Sequence, residues 1–279
     1  MVDQEKNLQP MRHSLAHIMA TATKHLWPEA KFGVGPVIEN GFYYDIDIPN
    51  VKISEEDFDR IESEMHKVIE AKDAFIQSDK QIDEAISWSE VTDQPYKKEL
   101  LNDLKRSGTT VFKNLDVAEL GLSTEGESSV EKVSFYTNGD FTDLCRGPHL
   151  NNTGQVGAFK LMRVAGAYWR GKETNPQMQR LYGVAFSTKE DLDAHLHMLE
   201  EAKARDHRGL GKQLDLYTFS DLVGSGLPLF TPRGTVLREK LSGFTNQLRE
   251  KSGFQKVWVP HMTKKDLYMQ SGQDRKSVV

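Results

Sequence analysis

His13 and His17 stand four residues apart in the run MRHSLAHIMATATKHLWP. The apolar residues of that run recur at helical spacing, so the two imidazoles lie on one face of a helix. Much later come Cys145 and His149, again four apart, in a turn broken by Gly147 and Pro148. Two imidazoles from a helix with a thiolate and an imidazole from a loop make a donor set suited to tetrahedral zinc. Both motifs are short, and spacing alone leaves two readings open: one shared site, or two coincidences.

The elements that must position these residues are legible in part. Leu15, Ile18, Met19, Ala22 and Leu26 form a helical stripe across residues 11–27, ended by Pro28. Residues 31–48, KFGVGPVIENGFYYDIDI, read as strands with a hairpin signal at Glu39-Asn40-Gly41. Ser54 and the acidic residues after it start an amphipathic helix over Phe58–Ile69, and further helices are predicted near Asp83–Ser87 and Tyr96–Lys105. Residues 121–131, rich in Gly, Ser and Glu, read as a mobile loop. Strands are predicted at Lys132–Thr142, Phe159–Arg170 and Arg180–Phe186, with CRGPH at a sharp turn between the first two. Gly183 inside the third marks close packing or a bulge.

Lys189–Arg208 reads as a charged helix whose narrow stripe, Leu192, Leu196 and Leu199, suits an arm between domains. Beyond it come a Gly- and Pro-rich loop at 224–232, a helix over Val236–Lys251, and a strand from Lys256 to Val259 ending at Pro260. Short strands mixed with helices, without regular βαβ alternation, predict an α+β chain.

Composition narrows the classes. The 279 residues suit one or two domains, and 38% hydrophobic residues suffice for a real core. With 41 acidic and 36 basic residues the net charge is −5, so any nucleic-acid contact must use a local patch. Lys160, Arg163, Arg170, Lys172 and Arg180, interleaved with Tyr168 and Trp169, are the candidate: a grip on phosphates with a stacking platform, or a solvated strand face over two core aromatics. One cysteine excludes an internal disulfide framework. No apolar run reaches the ~18 residues of a membrane span, and the polar start is not a signal peptide. The expectation is a cytoplasmic protein with no membrane partner.

Five segments carry a resemblance: MRHSLAHIMATATKHLWP, GPVIENGFYYD, DLCRGPHLNNTG, GAYWRGKETNPQMQRLYGVAF and RDHRGLGKQLDLY. In order and spacing they resemble a bacterial-type threonyl-tRNA synthetase from about Met11 to Leu267. The first four resemble its editing domain, shared with alanyl-tRNA synthetases, and the fifth its linker and entry to the catalytic domain. The resemblance implies an editing domain over residues 1–187, with an antiparallel sheet and helices. A linker helix over 188–209 and the opening of a class II catalytic domain over 210–279 follow it.

Such an editing domain hydrolyses the ester of mischarged seryl-tRNA(Thr). Serine and threonine differ by one methyl, worth only ~1–3 kcal/mol in a pocket, so serine must be removed after charging. That hydrolysis needs a positioned water, a group to take its proton and donors for the oxyanion. The resemblance places His13, His17, Lys97, Cys145 and His149 in the catalytic pocket, with Tyr44, Asp143 and Arg146 binding substrate. It implies that His13 and Lys97 polarise the water, that His149 and Asp143 hold the seryl group or terminal ribose, and that Tyr44 shapes the pocket. Taken without it, Lys97 beside Lys98 reads as a solvated lysine, Tyr44 as a core aromatic and Asp143 as a turn cap. Related alanyl editing proteins bind Zn2+ through the positions of this His–His pair and Cys–His pair, His13, His17, Cys145 and His149, whereas the threonyl domain hydrolyses through water without it; the residues permit either.

Residues 236–260 resemble the first class II signature motif, which implies a homodimer through that region. The motifs that hold ATP and Mg2+, and a catalytic-domain zinc site, belong to a full-length parent. After Ser271-Gly272 the sequence QDRKSVV departs from the family pattern, and the expectation is a truncated chain that deacylates but does not aminoacylate. The expected partners are tRNA(Thr) and its seryl- or threonyl-bearing 3′ end. The rival readings are a freestanding alanyl-editing-type hydrolase and a non-catalytic tRNA-binding fragment.

Overall fold

The computed structural model describes residues 2–107, 130–224 and 226–258. The chain divides into two compact units, Met1–Met198 and Leu199–Val279. Among the described residues no helix is long and apolar enough to cross a membrane.

The first unit is α+β. Helix α1 (Val2–Leu26) starts well before the predicted Met11 and carries Pro10 inside it. Strands β1 (Lys31–Phe32) and β2 (Val37–Ile38) both pair with β3 (Gly41–Asp47). The β2–β3 hairpin turns at Asn40, whose positive φ of 59° is one that asparagine tolerates. Helix α2 (Phe58–Ala71) buries Phe58, Ile61, Met65 and Val68, the single apolar stripe its sequence predicts. The polar strand β4 (Ile76–Gln81) was not foreseen. Five of its six residues are exposed, so it carries no alternating hydrophobic pattern to betray it. Helices α3 (Ile82–Val91) and α4 (Pro95–Ser107) follow.

The predicted strand Lys132–Thr142 is instead a hairpin, β5 (Lys132–Asn138) and β6 (Phe141–Leu144), turning at Gly139 with φ 57°. The long strands β7 (Ala158–Tyr168) and β8 (Gln177–Phe186) complete the unit. All pairings are antiparallel: one sheet runs β1-β3-β8-β7 with β2 beside β3, and a second runs β4-β5-β6. The bulge falls in β7 between Leu161 and Arg163, not at Gly183. Gly183 serves close packing: a Cβ there would lie 2.6 Å from Cζ of Phe42.

One core joins α1 (Leu15, Ile18, Met19), β3 (Phe42, Tyr44, Ile46) and α2. A smaller cluster joins α3, α4 and β5 through Ile82, Leu101, Leu104 and Phe135. Helix α1 is buried on nearly every side from Met11 to Thr23, not only along its apolar stripe. Its buried polar residues are accordingly bonded, as burial demands: Arg12 Nε donates to Ala185 O at 3.3 Å and Thr23 Oγ1 to Met19 O at 2.8 Å.

Helix α5 (Lys189–Ala204) ends short of the predicted Arg208. Asp206 takes an extended ψ of 123° and accepts from the Arg208 amide, which caps a new helix, α6 (His207–Gln213), instead of continuing the old one. In the second unit β9 (Tyr217–Thr218) pairs with β10 (Leu229–Phe230), and β10 alone falls inside the predicted loop 224–232. Helix α7 (Pro232–Lys251) starts one turn before its predicted Val236, with Thr231 as cap and Pro232 in the first turn. Lys256–Trp258 forms no strand, and the rest of that predicted strand lies outside the described residues. Most of the predicted loop 121–131 also lies outside them.

Candidate functional site: a histidine–cysteine cluster beside a buried lysine

A cleft of about 390 Å³ opens between α1, α4 and the β5–β6 hairpin with its continuation. His13, His17, Tyr44, Lys97, Asp143, Cys145 and Arg146 all line it, and His149 stands directly behind. The two motifs paired by spacing therefore meet: one ligating atom from each of His13, His17, Cys145 and His149 falls within 4.8 Å of all the others.

Helix α1 supplies His13 and His17 one turn apart, their ring centroids separated by 5.4 Å at 86°. The chain leaving β6 supplies the rest. Cys145 is fixed to β5 by its amide donating to Ser134 O at 3.1 Å and its carbonyl accepting from Ser134 Oγ at 2.7 Å. Gly147 then turns with φ 71°, and its amide donates to Cys145 Sγ at 3.2 Å. A Cβ at Gly147 would stand 2.5 Å from the Tyr136 hydroxyl, so the close turn needs glycine. The ring of His149 stacks on Phe75 at 4.8 Å.

Cys145 Sγ lies 3.2 Å from both His13 Nε2 and His149 Nε2. His13 Nδ1 is 3.3 Å from Pro148 O, a carbonyl that only accepts, so Nδ1 carries the proton and Nε2 the lone pair. One proton arrangement satisfies every contact. Ser14 O–H donates to His149 Nδ1 at 3.2 Å, His149 Nε2–H to the sulfur, and the thiol to His13 Nε2. Ser14 also accepts from the Leu150 amide at 3.0 Å. Ser14 is thus part of the site; sequence reasoning had only its neighbour His13 as a hint.

Burial sets the protonation states. Desolvation lowers His13 and His149 and holds His17 well below the ordinary histidine range, with the neighbouring His13 and Lys97 charges adding to it at His17. All three are neutral near pH 7. Burial pushes the Cys145 thiol up to about 12, against the opposing Gly147 amide. A sulfur held protonated is a poor nucleophile, which points the chemistry toward water rather than a thioester.

Beside the cluster lies a second network. Lys97, on the first turn of α4, is buried, and its Nζ sits 2.6 Å from Asp143 Oδ1 and 3.2 Å from the Tyr44 hydroxyl. Tyr44 donates to Asp143 Oδ2, and Asp143 Oδ1 also accepts from the Leu144 amide at 2.8 Å. Burial first, and then the Asp143 charge, raises the Tyr44 phenol well above its usual value, so it stays a donor. Lys97 is therefore no solvated lysine; its neighbour Lys98 is, pairing with Glu90 at 2.8 Å. The Tyr44 ring belongs to the core while its hydroxyl belongs to the site. His17 Nε2 reaches to 4.0 Å from Asp143 Oδ2 and joins the two networks. Arg146 is exposed along the cleft.

Three histidines and one cysteine whose ligating atoms all lie within 4.8 Å of one another fit the ligand set of tetrahedral zinc. The buried His17 Nδ1, which has no hydrogen-bond partner among the described residues, fits it too.

Only part of the candidate phosphate grip faces solvent. Trp169 is buried and donates Nε1–H to Glu99 at 2.8 Å, while the Arg170 side chain lies under the surface against Glu99 (3.1 Å) and Asp103 (2.6 Å). Arg180 forms a two-pronged pair with Asp45 at 2.7 and 3.0 Å. These residues found carboxylates within the fold because interior charges must be paired. Lys160, Arg163, Lys172 and Tyr168 remain exposed.

Comparison with known proteins fits this arrangement. Residues 133–182 match the family described as the threonyl and alanyl tRNA synthetase second additional domain. That stretch carries Asp143, Cys145, Arg146 and His149, while His13, His17, Tyr44 and Lys97 precede it. The chain is 45% identical to a threonine–tRNA ligase of a Nocardioides species, over 94% of this chain and 39% of the relative. It is 43% identical to that of Acetivibrio thermocellus over 97% and 39%, and 45% identical to that of Porphyromonas gingivalis over 93% and 36%. The chain thus spans a little over a third of the length of the curated relatives it matches. Residues 133–182 thus resemble that second additional domain, and on both sides of it the chain is similar to part of the threonine–tRNA ligases.

Proposed function

We propose that the cleft hydrolyses the ester joining serine to the 3′ end of tRNA(Thr), the proofreading reaction, within a longer threonine–tRNA ligase. The observation that carries this reading is a neutral His13 with its lone pair on Nε2, lining the same cleft as a buried Lys97 ammonium held by Asp143. A water that takes the place of the Cys145 thiol against His13 gives its proton to Nε2 as it attacks the ester carbonyl. The Lys97 ammonium supplies positive density toward the developing oxyanion in a site where burial strengthens it, while Tyr44, its O–H held by Asp143, shapes the pocket. Asp143, already engaged by Lys97, Tyr44 and the Leu144 amide, acts by aiming Lys97. His149, steadied by Ser14 and Phe75, orients the seryl group or terminal ribose, with Arg146 at the cleft wall for the phosphate chain.

His13, His17, Cys145 and His149 would hold a zinc ion, which would supply Lewis acidity to the cleft. The acid–base route above uses only the chain's own groups and needs no metal. The longer parent would charge tRNA(Thr) with threonine using ATP and Mg2+ and a catalytic-domain zinc, in the cytoplasm. Its homodimer would form through α7, whose Val236, Leu241, Phe244 and Leu248 are exposed apolar residues.

The test is deacylation of seryl-tRNA(Thr) and threonyl-tRNA(Thr), with and without excess chelator. Expected are loss of serine but not threonine, an unchanged rate in chelator, and no activity in His13→Ala. A rate abolished by chelator and restored by zinc, with activity on mischarged tRNA(Ala), would instead support a metal-dependent alanyl-type hydrolase. Binding of tRNA without any hydrolysis would support a non-catalytic fragment.

A further inference from the structure

On α1, residues His13, His17, Thr21 and His25 recur every four positions and form one stripe. Each meets the β5–β6 hairpin or the chain leaving it. His13 Nε2 is 3.2 Å from Cys145 Sγ, and His17 Nε2 is 4.0 Å from Asp143 Oδ2. Thr21 Oγ1 accepts from Asn138 Nδ2 at 2.9 Å, and His25 Nε2 is 3.0 Å from Asp140 Oδ1. The first two rungs carry the chemistry. The third touches nothing in the cleft, yet it is sealed from solvent, Thr21 at 2% and Asn138 at 0% exposure.

The Thr21 hydroxyl donates its own proton to His17 O at 2.9 Å, which leaves its lone pairs for Asn138. One hydroxyl therefore links the backbone of a site histidine to the hairpin that carries Asp143 and Cys145. The apolar contact across the same seam, through Phe141, is non-directional and tolerates a small slide of helix along hairpin. A buried hydrogen bond does not, because sliding would leave the Asn138 amide unpaired.

We propose that Thr21 and Asn138 are positioning residues: their bond sets the register of α1 on the hairpin, and through it the approach of His13 to Cys145 and of His17 to Asp143. The kinetic half of this proposal rests on the hydrolysis proposed above; the geometric half does not.

The experiment uses the whole chain in chelator, with two readouts. The first is the alkylation rate of Cys145, the chain's sole thiol, by iodoacetamide at one fixed pH. The second is kcat and KM for seryl-tRNA(Thr) deacylation. Thr21→Val removes the hydroxyl and Thr21→Ser keeps it. Asn138→Ala removes the link but leaves Thr21 bonded to His17, so no buried donor on α1 is orphaned. Thr23→Val is the control, deleting an equally buried hydroxyl of α1 that bonds within its own helix.

In Thr21→Val and Asn138→Ala, alkylation is expected to rise about threefold or more as the thiol loses its fitted neighbours. In the same variants kcat falls about tenfold with KM within about twofold, as misplacement of reacting groups does. Thr21→Ser and Thr23→Val should behave as the parent. Parent-like alkylation in folded Asn138→Ala, or an equal change in Thr23→Val, overturns the proposal. A parent chain that does not hydrolyse the seryl ester sinks the proofreading reading, while alkylation still decides the latch.

Discussion

Lys97 Nζ lies 2.6 Å from Asp143 Oδ1, with their side chains only 3% and 4% exposed. An ion pair so sealed is not a free source of stability, since desolvation offsets much of the attraction. Its removal from one side is a different matter. Lys97→Met leaves a carboxylate buried with only Tyr44 and the Leu144 amide for company, and should destabilise the first unit by about 3–5 kcal/mol. It should also abolish seryl-tRNA(Thr) deacylation. Thermal unfolding and the deacylation assay check the two halves. An Asp143→Asn, Lys97→Met double variant should recover much of the stability and none of the activity.

The pH dependence of hydrolysis should report His13. Burial depresses its pKa below the ordinary ~6.5, so the base stays unprotonated into mildly acid solution. The acid limb of kcat/KM is expected below pH ~6.5, not centred on it. A limb centred at or above that value would remove His13 from the role of base.

His25 should contribute stability of the opposite pH sense. Burial pulls its pKa down, but the hydrogen bonds to Asp140 and Glu64, with their charges, outweigh that and raise it. Its folded value lies above the unfolded ~6.5, so the contribution is complete below that pH and is lost as pH rises through the raised value. The difference in unfolding midpoint between the parent and His25→Gln should therefore shrink from pH 6 toward pH 9, measured by denaturant titration across that range.

Arg170 tests the corrected basic patch. Its buried side chain holds Glu99 and Asp103 of α4, the helix that presents Lys97. Arg170→Met should cost about 1–3 kcal/mol of stability by taking one of Asp103's two arginine partners, Arg106 remaining at 2.9 Å, and leave the salt dependence of tRNA binding unchanged. A shallower salt slope with unaltered stability would restore Arg170 to the phosphate-binding set.

What sequence makes legible here depends on whether a signal is local. The histidine pair declares itself by helical period, the turn after Cys145 by Gly147 and Pro148, and α2 by its stripe and acidic start. Strand β4 stayed hidden because an exposed edge strand needs no apolar alternation. The break at Asp206 was missed because a capping aspartate looks like any charge in a charged helix until its side chain is seen to turn back on the Arg208 amide.

The sequence by itself determined the donor types, their two four-residue spacings and the family resemblance. Only the tertiary structure decided that the two pairs, more than 125 residues apart in the chain, share one centre, because hairpin closure on a helix is a long-range event that local patterning does not encode. It also decided which lysine is buried. Lys97 and Lys98 are the same side chain one position apart, and the 100° step between them along α4 sends one into the core beside Asp143 and the other into water.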